Sequence, residues 1–369
     1  MTEMERPLSA IRLLRTFQTP TWGPTLDYLT LRPRPPRLVL PNGRYDGGWY
    51  DDFTGQFNTS TARASGWRFQ RWLHVHFDTG RYFVAANVAH MSLAGNTALL
   101  ILDRNTGRFY EASTTKLLWA NPVEVDAQAR TFHDTRTGSV IAMTDTGLRL
   151  DVRLDGLRFE ATAEAIFDRP FTQITRYHGG AGTLQWWGNL SLDRGSLTLP
   201  DHNGPIDLPV GTLGAYDRTV GHRRPIQNWN WLAAVGQGRD TATDEPVVVS
   251  LIASTDQERA RPRVVAHKNN VWIDGQHLKL PEMRFDYTVH DPKTWDTGPW
   301  TLTSHSSKGT LDLTFLPEYR RREQPRIPLL TDVDFNQYYG YLSGQITALG
   351  RTVAVDGMFG LVEDSWMVT

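Results

Sequence analysis

Short runs of alternating side chains, each closed by a turn rich in glycine, asparagine or aspartate, recur from Trp72 onward, and helix signals are scarce. That rhythm leaves few folds open, because strands spaced about every 8–12 residues build a sandwich or a barrel, whereas parallel α/β folds need helices of about 10–15 residues in the gaps. The clearest unit is Trp72-Leu73-His74-Val75-His76-Phe77, closed by Asp78-Thr79-Gly80 and answered by Arg81 to His90, which predicts a β-hairpin. Thr97 to Leu102, the turn Asp103-Arg104-Asn105-Thr106-Gly107 and Arg108 to Ala112 repeat the plan. Further strands are expected at Ser139–Met143, Gly147–Val152 and Arg158–Ala165.

Two interruptions divide the chain. Arg32-Pro33-Arg34-Pro35-Pro36 reads as an extended lead-in, and Met4 to Phe17 is the one long helix candidate, with Pro7 suited to its first turn. The second break runs from Leu199-Pro200-Asp201-His202-Asn203-Gly204-Pro205 to Pro209 and Gly211, where repeated Pro and Gly defeat ladder bonding. Placing a boundary there gives a lead-in over 1–44, a first β-domain over 45–204 and a second over 205–369. Alternation resumes in the second part at Trp231–Gly236, Pro246–Ser254, Arg263–Ala266, Val271–Ile273, Arg284–Val289, Thr301–Ser304, Gly309–Phe315, Gln337–Ala348 and Thr352–Val355, enough strands to close an antiparallel barrel. No tandem period points to a propeller or solenoid.

Charge and composition narrow the partners. Net charge is −1, which leaves no electrostatic footprint for nucleic acid or an anionic membrane surface. With no cysteine there can be no disulfide, thiolate metal site or cysteine nucleophile, and a cytoplasmic protein is expected. The first residues lack a secretory apolar stretch and no run reaches the about 18 apolar residues of a spanning helix, so a soluble mature protein is expected. Thirteen tryptophans are many for 369 residues. Each buries about 150–250 Å² when interior, about 4–6 kcal/mol before entropy is charged, so most must be core.

Common reaction motifs are missing. Gly179-Gly180-Ala181-Gly182 is followed by no Gly-Lys-Ser/Thr, and neither His-Glu-x-x-His nor Gly-x-Ser-x-Gly occurs. His74 and His76 share a strand face and could chelate a metal, but no third ligand stands near them in sequence, so no metal is expected. One dense cluster remains, from Tyr216-Asp217-Arg218 through His222 to Gln227-Asn228-Trp229-Asn230-Trp231. Trp229 and Trp231 share one strand face and Asn228 and Asn230 the other. Either face could meet a ligand, as an indole wall or as a polar floor, and either could be ordinary core. Two further clusters are Lys268-Asn269-Asn270-Val271-Trp272-Ile273-Asp274-Gly275 and Gly357 to Trp366, where Glu363 follows an apolar run that would raise its pKa on burial, although residue types alone favour a surface position for it.

These clusters carry a resemblance. Tyr177-His178-Gly179 with Trp186-Trp187-Gly188, Asp217-Arg218-Thr219-Val220-Gly221 leading to Trp229-Asn230-Trp231, Asn270-Val271-Trp272-Ile273-Asp274-Gly275, Gly298-Pro299-Trp300, Asp312-Leu313-Thr314-Phe315-Leu316-Pro317, Gln337-Tyr338-Tyr339-Gly340 with Ser343-Gly344, and Gly360-Leu361-Val362-Glu363 follow one another in order. From about Trp67 onward the chain resembles an uncharacterised domain-of-unknown-function family, DUF2804, related to the lipocalin-like group of carotenoid hydratase, tocopherol cyclase, the AttH proteins and fungal Diels–Alderases. It departs from that pattern at Asn269-Asn270, where Glu-Asn is expected, at Asn228, where threonine is expected, and at Gln227, which cannot act as a general acid.

The resemblance implies an all-β chain of two tandem lipocalin-like antiparallel β-barrels with little helix and a ligand cavity in or between them. It also implies an apolar small-molecule ligand, isoprenoid, polyketide or lipid-like, handled without cofactor by hydration, cyclisation or isomerisation. Asp217, His222 or Glu363 would then supply protons, Gln227, Asn228 and Asn270 would orient the ligand, and Trp187, Trp229, Trp231 and Trp272 would line the site and stabilise developing positive charge. The alternative is a carrier or sensor of the same ligands without catalysis.

Overall fold

The computed structural model describes residues 28–91, 94–117, 121–167, 170–256, 268–281, 283–291, 296–324, 326–327 and 331–368. The helix expected over Met4–Phe17 and the strand expected at Arg263–Ala266 lie outside these residues. Among the described residues the chain is nearly all strand, with short 3-10 turns at Thr59–Thr61, Gly66–Arg68 and His178–Gly180. None of its helices is long and apolar enough to cross a membrane.

The local signals behave as their chemistry requires. Phe69–Asp78 and Tyr82–Met91 pair antiparallel, and the turn between them is set by Gly80, whose φ of 86° suits glycine and whose N–H is accepted by Asp78 Oδ1 at 2.9 Å. From there pairing runs outward through Ala94–Asp103 to Arg108–Leu117 on one side. On the other side it runs through Leu213–His222, Gly182–Thr198, Leu157–Ala165, Gly147–Leu154, Ser139–Met143 and Thr131–Asp134 to Val123–Val125. The second sheet orders Gln276–Leu280, Asn269–Ile273, Pro246–Asp256, Ile226–Asp240, Arg351–Val368, Thr331–Ala348, Gly309–Glu323, Trp300–Ser306 and Arg284–Asp286. Each sheet curls around its own apolar filling as an antiparallel half-barrel, in keeping with the two lipocalin-like β-barrels expected.

The Pro- and Gly-rich stretch does not separate the sheets. Leu213–His222, which follows it, pairs with both Gly182–Thr198 and Phe69–Asp78 in the first sheet. The stretch is thus a loop between neighbouring strands, and the chain changes sheets at Arg223-Arg224-Pro225, just before Ile226–Asp240. Proline breaks a ladder at either kind of junction, so composition alone cannot tell the two apart.

Three apolar clusters fill the molecule. One, with Leu73, Phe77, Trp186, Tyr216 and Val220, occupies the first barrel, and a second, with Leu232, Val271, Trp300, Tyr338 and Val362, occupies the second. The third draws Phe83, Leu102 and Trp187 from the first sheet and Trp231, Trp272, Tyr339, Phe359 and Leu361 from the second, and therefore lies between the barrels. Strand alternation explains the sorting. Trp186 points into the first barrel while its neighbour Trp187 points out of it, and Trp231 and Leu232 divide in the same way.

Candidate active site

The seam between the barrels holds a set of buried polar groups whose proton affinities burial shifts. Pairing of Ile226–Asp240 with Arg351–Val368 sets Trp231 opposite Glu363, and the next strand, Thr331–Ala348, sets Gln337 opposite Glu363 on its other side. All three face the seam, since Trp231, Leu361 and Tyr339 belong to the cluster between the barrels. The Trp229 indole N–H donates to Glu363 Oε2 at 2.8 Å, and Gln337 Nε2 donates to Glu363 Oε1 at 2.8 Å. Gln337 cannot turn around, because its Oε1 accepts from Tyr339 OH and from Arg321 Nη1, each at 3.0 Å. Arg321 is held in turn by Glu111 and Glu323.

Glu363 is 7 % exposed. Burial pushes its pKa up to about 7, against the pull of the two N–H donors, with the charge of Asp217 adding to the rise and Arg223 opposing it.

The first barrel supplies the facing wall. Asp217 on Leu213–His222 lies opposite His74 and Trp187 in the ladder. Its carboxylate accepts from Trp72 Nε1 at 3.2 Å and from the Thr219 hydroxyl at 2.9 Å. Burial raises its pKa, while the hydrogen bonds from Thr219 and Trp72 hold the rise back. The Arg223 guanidinium lies over Trp72 at 4.2 Å and Trp229 at 5.7 Å, joining one indole from each sheet. His74 stands edge-on to Trp231 at 5.7 Å between centroids, and His76 stacks on Phe83 at 5.5 Å. Burial lowers His74 to about 4, and burial with the neighbouring His74 lowers His76 well below its usual value, so both rings are neutral at neutral pH. No group of three or more His, Cys, Asp or Glu comes together around them among the described residues.

Further along the seam, Trp272 stacks on His277 at 4.6 Å, and His277 Nε2 meets Asn270 Oδ1 at 2.9 Å. Lys279 donates to Gln173 and lies 5.1 Å from the Trp49 ring centroid and 4.9 Å from that of Phe171. Phe171 packs on Trp187 at 5.3 Å. Several buried polar atoms on these faces have no partner among the described residues: His74 Nε2, both ring nitrogens of His76, Gln70 Oε1, Gln185 Oε1 and Trp231 Nε1. Buried polar atoms are nearly always satisfied, so this mixture of donors and acceptors marks where a polar ligand group or ordered water fits.

The residues singled out in the sequence are thus distributed unevenly. Asp217, Glu363, Trp187, Trp229, Trp231, Trp272 and Asn270 all face the seam. Gln227, two residues before Trp229, shares that face and leaves its Nε2 without a partner among the described residues. Asn228 alternates to the opposite face, that of Asn230, which is buried against the second barrel and donates to the Glu363 backbone carbonyl at 3.1 Å. His222 lies apart, on the face of Val220 inside the first barrel, bonded through Nδ1 to Tyr45 OH at 2.7 Å and lowered by burial to about 4. Gln337, Tyr339, Arg321 and Trp72 were missed as site residues. Gln337 and Tyr339 are two apart in a strand, so alternation could have placed them together, but only pairing shows that Gln337 meets Glu363.

Residues 194–368 match the model of a family described as a domain of unknown function, DUF2804. Among solved structures the chain is similar to kievitone hydratase from Nectria haematococca, at 18% identity over 81% of this chain and 88% of that one, with a TM-score of 0.46. It is also similar to an AttH-like protein from Nitrosomonas europaea, at 9% identity over 88% of this chain and 98% of that one, with a TM-score of 0.49. No protein of curated function matches the sequence.

Proposed function

We propose that the protein binds an apolar small molecule, isoprenoid, polyketide or lipid-like, in the seam between its barrels and performs proton-transfer chemistry on it without a cofactor, with Glu363 as the proton donor. The observation that carries this reading is a carboxyl group held by Trp229 and Gln337 in an aromatic seam, with its pKa raised to about 7. A group balanced near neutrality is populated in both its acid and its base form, which favours proton transfer in each direction. In a hydration, neutral Glu363 gives its proton to one carbon of a polarised double bond, water adds through oxygen to the other, and the excess proton of that water returns to the Glu363 carboxylate. Trp229, bonded to Glu363, and Trp231 would line the substrate there, and an indole π face favours developing positive charge. Asp217, across the seam, supports the protonated form of Glu363 by its own charge.

The test is incubation of the protein in D₂O with a panel of isoprenoid and polyketide-derived alkenes and enones, followed by mass spectrometry. The expected result is a gain of one water, or of deuterium at carbon, for at least one compound, lost in Glu363→Gln while binding of that compound persists. A product that forms equally well with Glu363→Gln would remove Glu363 from the chemistry.

A further inference from the structure

A second set of buried groups lies inside the first barrel, away from the seam. Across three adjacent strands Trp186 stands opposite Arg218 and Arg218 opposite Leu73, while Arg71, two residues before Leu73, stands opposite Val220 and His90. Alternation turns Arg218 and Arg71 toward the same interior as Leu73, Tyr216 and Val220, all of them in that barrel's apolar filling. Diagonal neighbours of this kind lie about 7–8 Å apart, within reach of one small ligand group.

Both guanidinium groups lack a carboxylate. The Arg218 guanidinium lies over the Trp186 ring at 3.6 Å, and neither arginine forms an ion pair or a hydrogen bond to a side-chain acceptor among the described residues. Arg71 reaches the Val125 carbonyl at 3.3 Å and lies over the Phe69 ring at 5.4 Å, neither of them a negative charge. The two aspartates closest in their electrostatic effect are engaged elsewhere. Asp126 accepts the backbone N–H groups of Gln128, Arg130 and Thr131, and Asp52 accepts that of Phe53. Four buried atoms there have no partner among the described residues: Arg218 Nε, Arg71 Nε and Trp186 Nε1, which are donors, and His90 Nδ1, opposite Arg71, which is a donor in one tautomer.

A cluster dominated by donors, with two fixed positive charges, is complementary to an acceptor bearing negative charge. Around it the walls are aromatic. Phe57 lies 6.0 Å from Trp186 with ring planes at 24°, Phe53 meets Trp186 edge-on at 6.3 Å, and Gly188 leaves room for the Tyr216 ring, whose Cε1 would stand 2.5 Å from an added Cβ. Arg71 and Arg218 are only partly buried, so a molecule can reach them.

We infer that the interior of the first barrel is a second binding site, which takes a small aromatic or apolar molecule by its carboxylate or another oxyanion, with Arg218 and Arg71 holding the anion and Trp186 and Phe57 the body. Burial also lowers the Arg218 pKa to about 10, the cost of a cation held without a counter-ion, and a bound anion relieves it. This site rests on groups separate from Glu363 and stands whether or not the seam is catalytic.

Isothermal titration of the intact protein with 1-naphthoate and with its neutral counterpart 1-naphthamide tests it. The expected result is one naphthoate per chain, weakened by added salt, bound at least about tenfold more tightly than the amide, and weakened about tenfold by Arg218→Gln and less by Arg71→Gln. Amide binding should not change in either variant, and Glu363→Gln and Trp231→Ala should leave naphthoate binding intact. Arg218→Lys, which keeps the charge, should retain most of the affinity, and circular dichroism establishes that each variant is folded. If Arg218→Gln does not fold, Arg71→Gln and the salt dependence decide the matter. No saturable binding of naphthoate, equal binding of acid and amide, undiminished binding by the folded arginine-to-glutamine variants, or loss of binding in Trp231→Ala would each overturn the inference.

Discussion

At the scale of single residues, Glu363 gives the sharpest expectation, because its proton affinity is tied to folding. Its pKa is about 7 in the folded chain against 4.5 for an ordinary glutamate, so between those values the folded state binds more protons than the unfolded one. Stability contributed by this group is therefore present below about 4.5, falls as pH rises through the window, and is lost above about 7, a span of roughly 3 kcal/mol. Glu363→Gln removes that slope. Glutamine still accepts from Trp229, but its own amide N–H₂ meets the Gln337 amide, which Tyr339 and Arg321 prevent from turning, so a fixed penalty is added at every pH. Urea midpoints of wild type and variant should show the variant gaining on the wild type by up to about 3 kcal/mol between pH 5 and pH 8. The buried histidines have the opposite sign and lose stability as pH falls below about 6.5, but they are common to both proteins and cancel in the difference. A constant difference across that range would mean that Glu363 titrates as an ordinary carboxylate.

At the scale of strands, what could be read from the sequence followed the range of the forces that made it. The hairpin from Trp72 through Gly80 was legible because turn and alternation are both local. The faces of Ile226–Asp240 were not, since each barrel strand at the seam is apolar on both sides, as Trp186-Trp187, Trp231-Leu232 and Tyr338-Tyr339 show, and a two-sided strand has lost the contrast that tells inside from outside. For the same reason Gln337 was seen as part of a motif but not as the partner of Glu363, a relation that only register creates. The two-sided strand makes its own prediction. Trp231→Ala and Leu232→Ala should each cost about 2–5 kcal/mol, one by a cavity between the barrels and the other by a cavity within the second. Only the first should change the ring environment of His74, 5.7 Å from Trp231, as read by histidine NMR shifts. A His74 signal displaced equally by both would contradict the assignment of faces.

At the scale of the molecule, the cluster between the barrels makes them unfold together. Phe359 is central to it, packed on Phe83 at 5.5 Å and on Tyr341 at 5.2 Å, with the Arg104 guanidinium 4.4 Å from its ring centroid. Phe359→Asp buries a carboxylate among these rings, a cost that the chain avoids by parting the two faces. Calorimetry should show one thermal transition for the wild type and two for the variant, each barrel keeping its own filling. A single transition at lower temperature would show instead that neither barrel holds together alone.

The order in which the strands are made carries a further consequence. Arg351–Val368, which bears Glu363, is central in the second sheet, yet both strands that flank it precede it in the chain. Trp229 leaves the ribosome 134 residues ahead of its carboxylate partner, roughly 7–27 s earlier at about 5–20 residues per second. Through that interval the indole-bearing strand waits with one ladder edge unpaired, and the Trp229–Glu363 hydrogen bond cannot form. On the function proposed above, the pairing that completes the site is therefore also the pairing that closes an exposed strand edge.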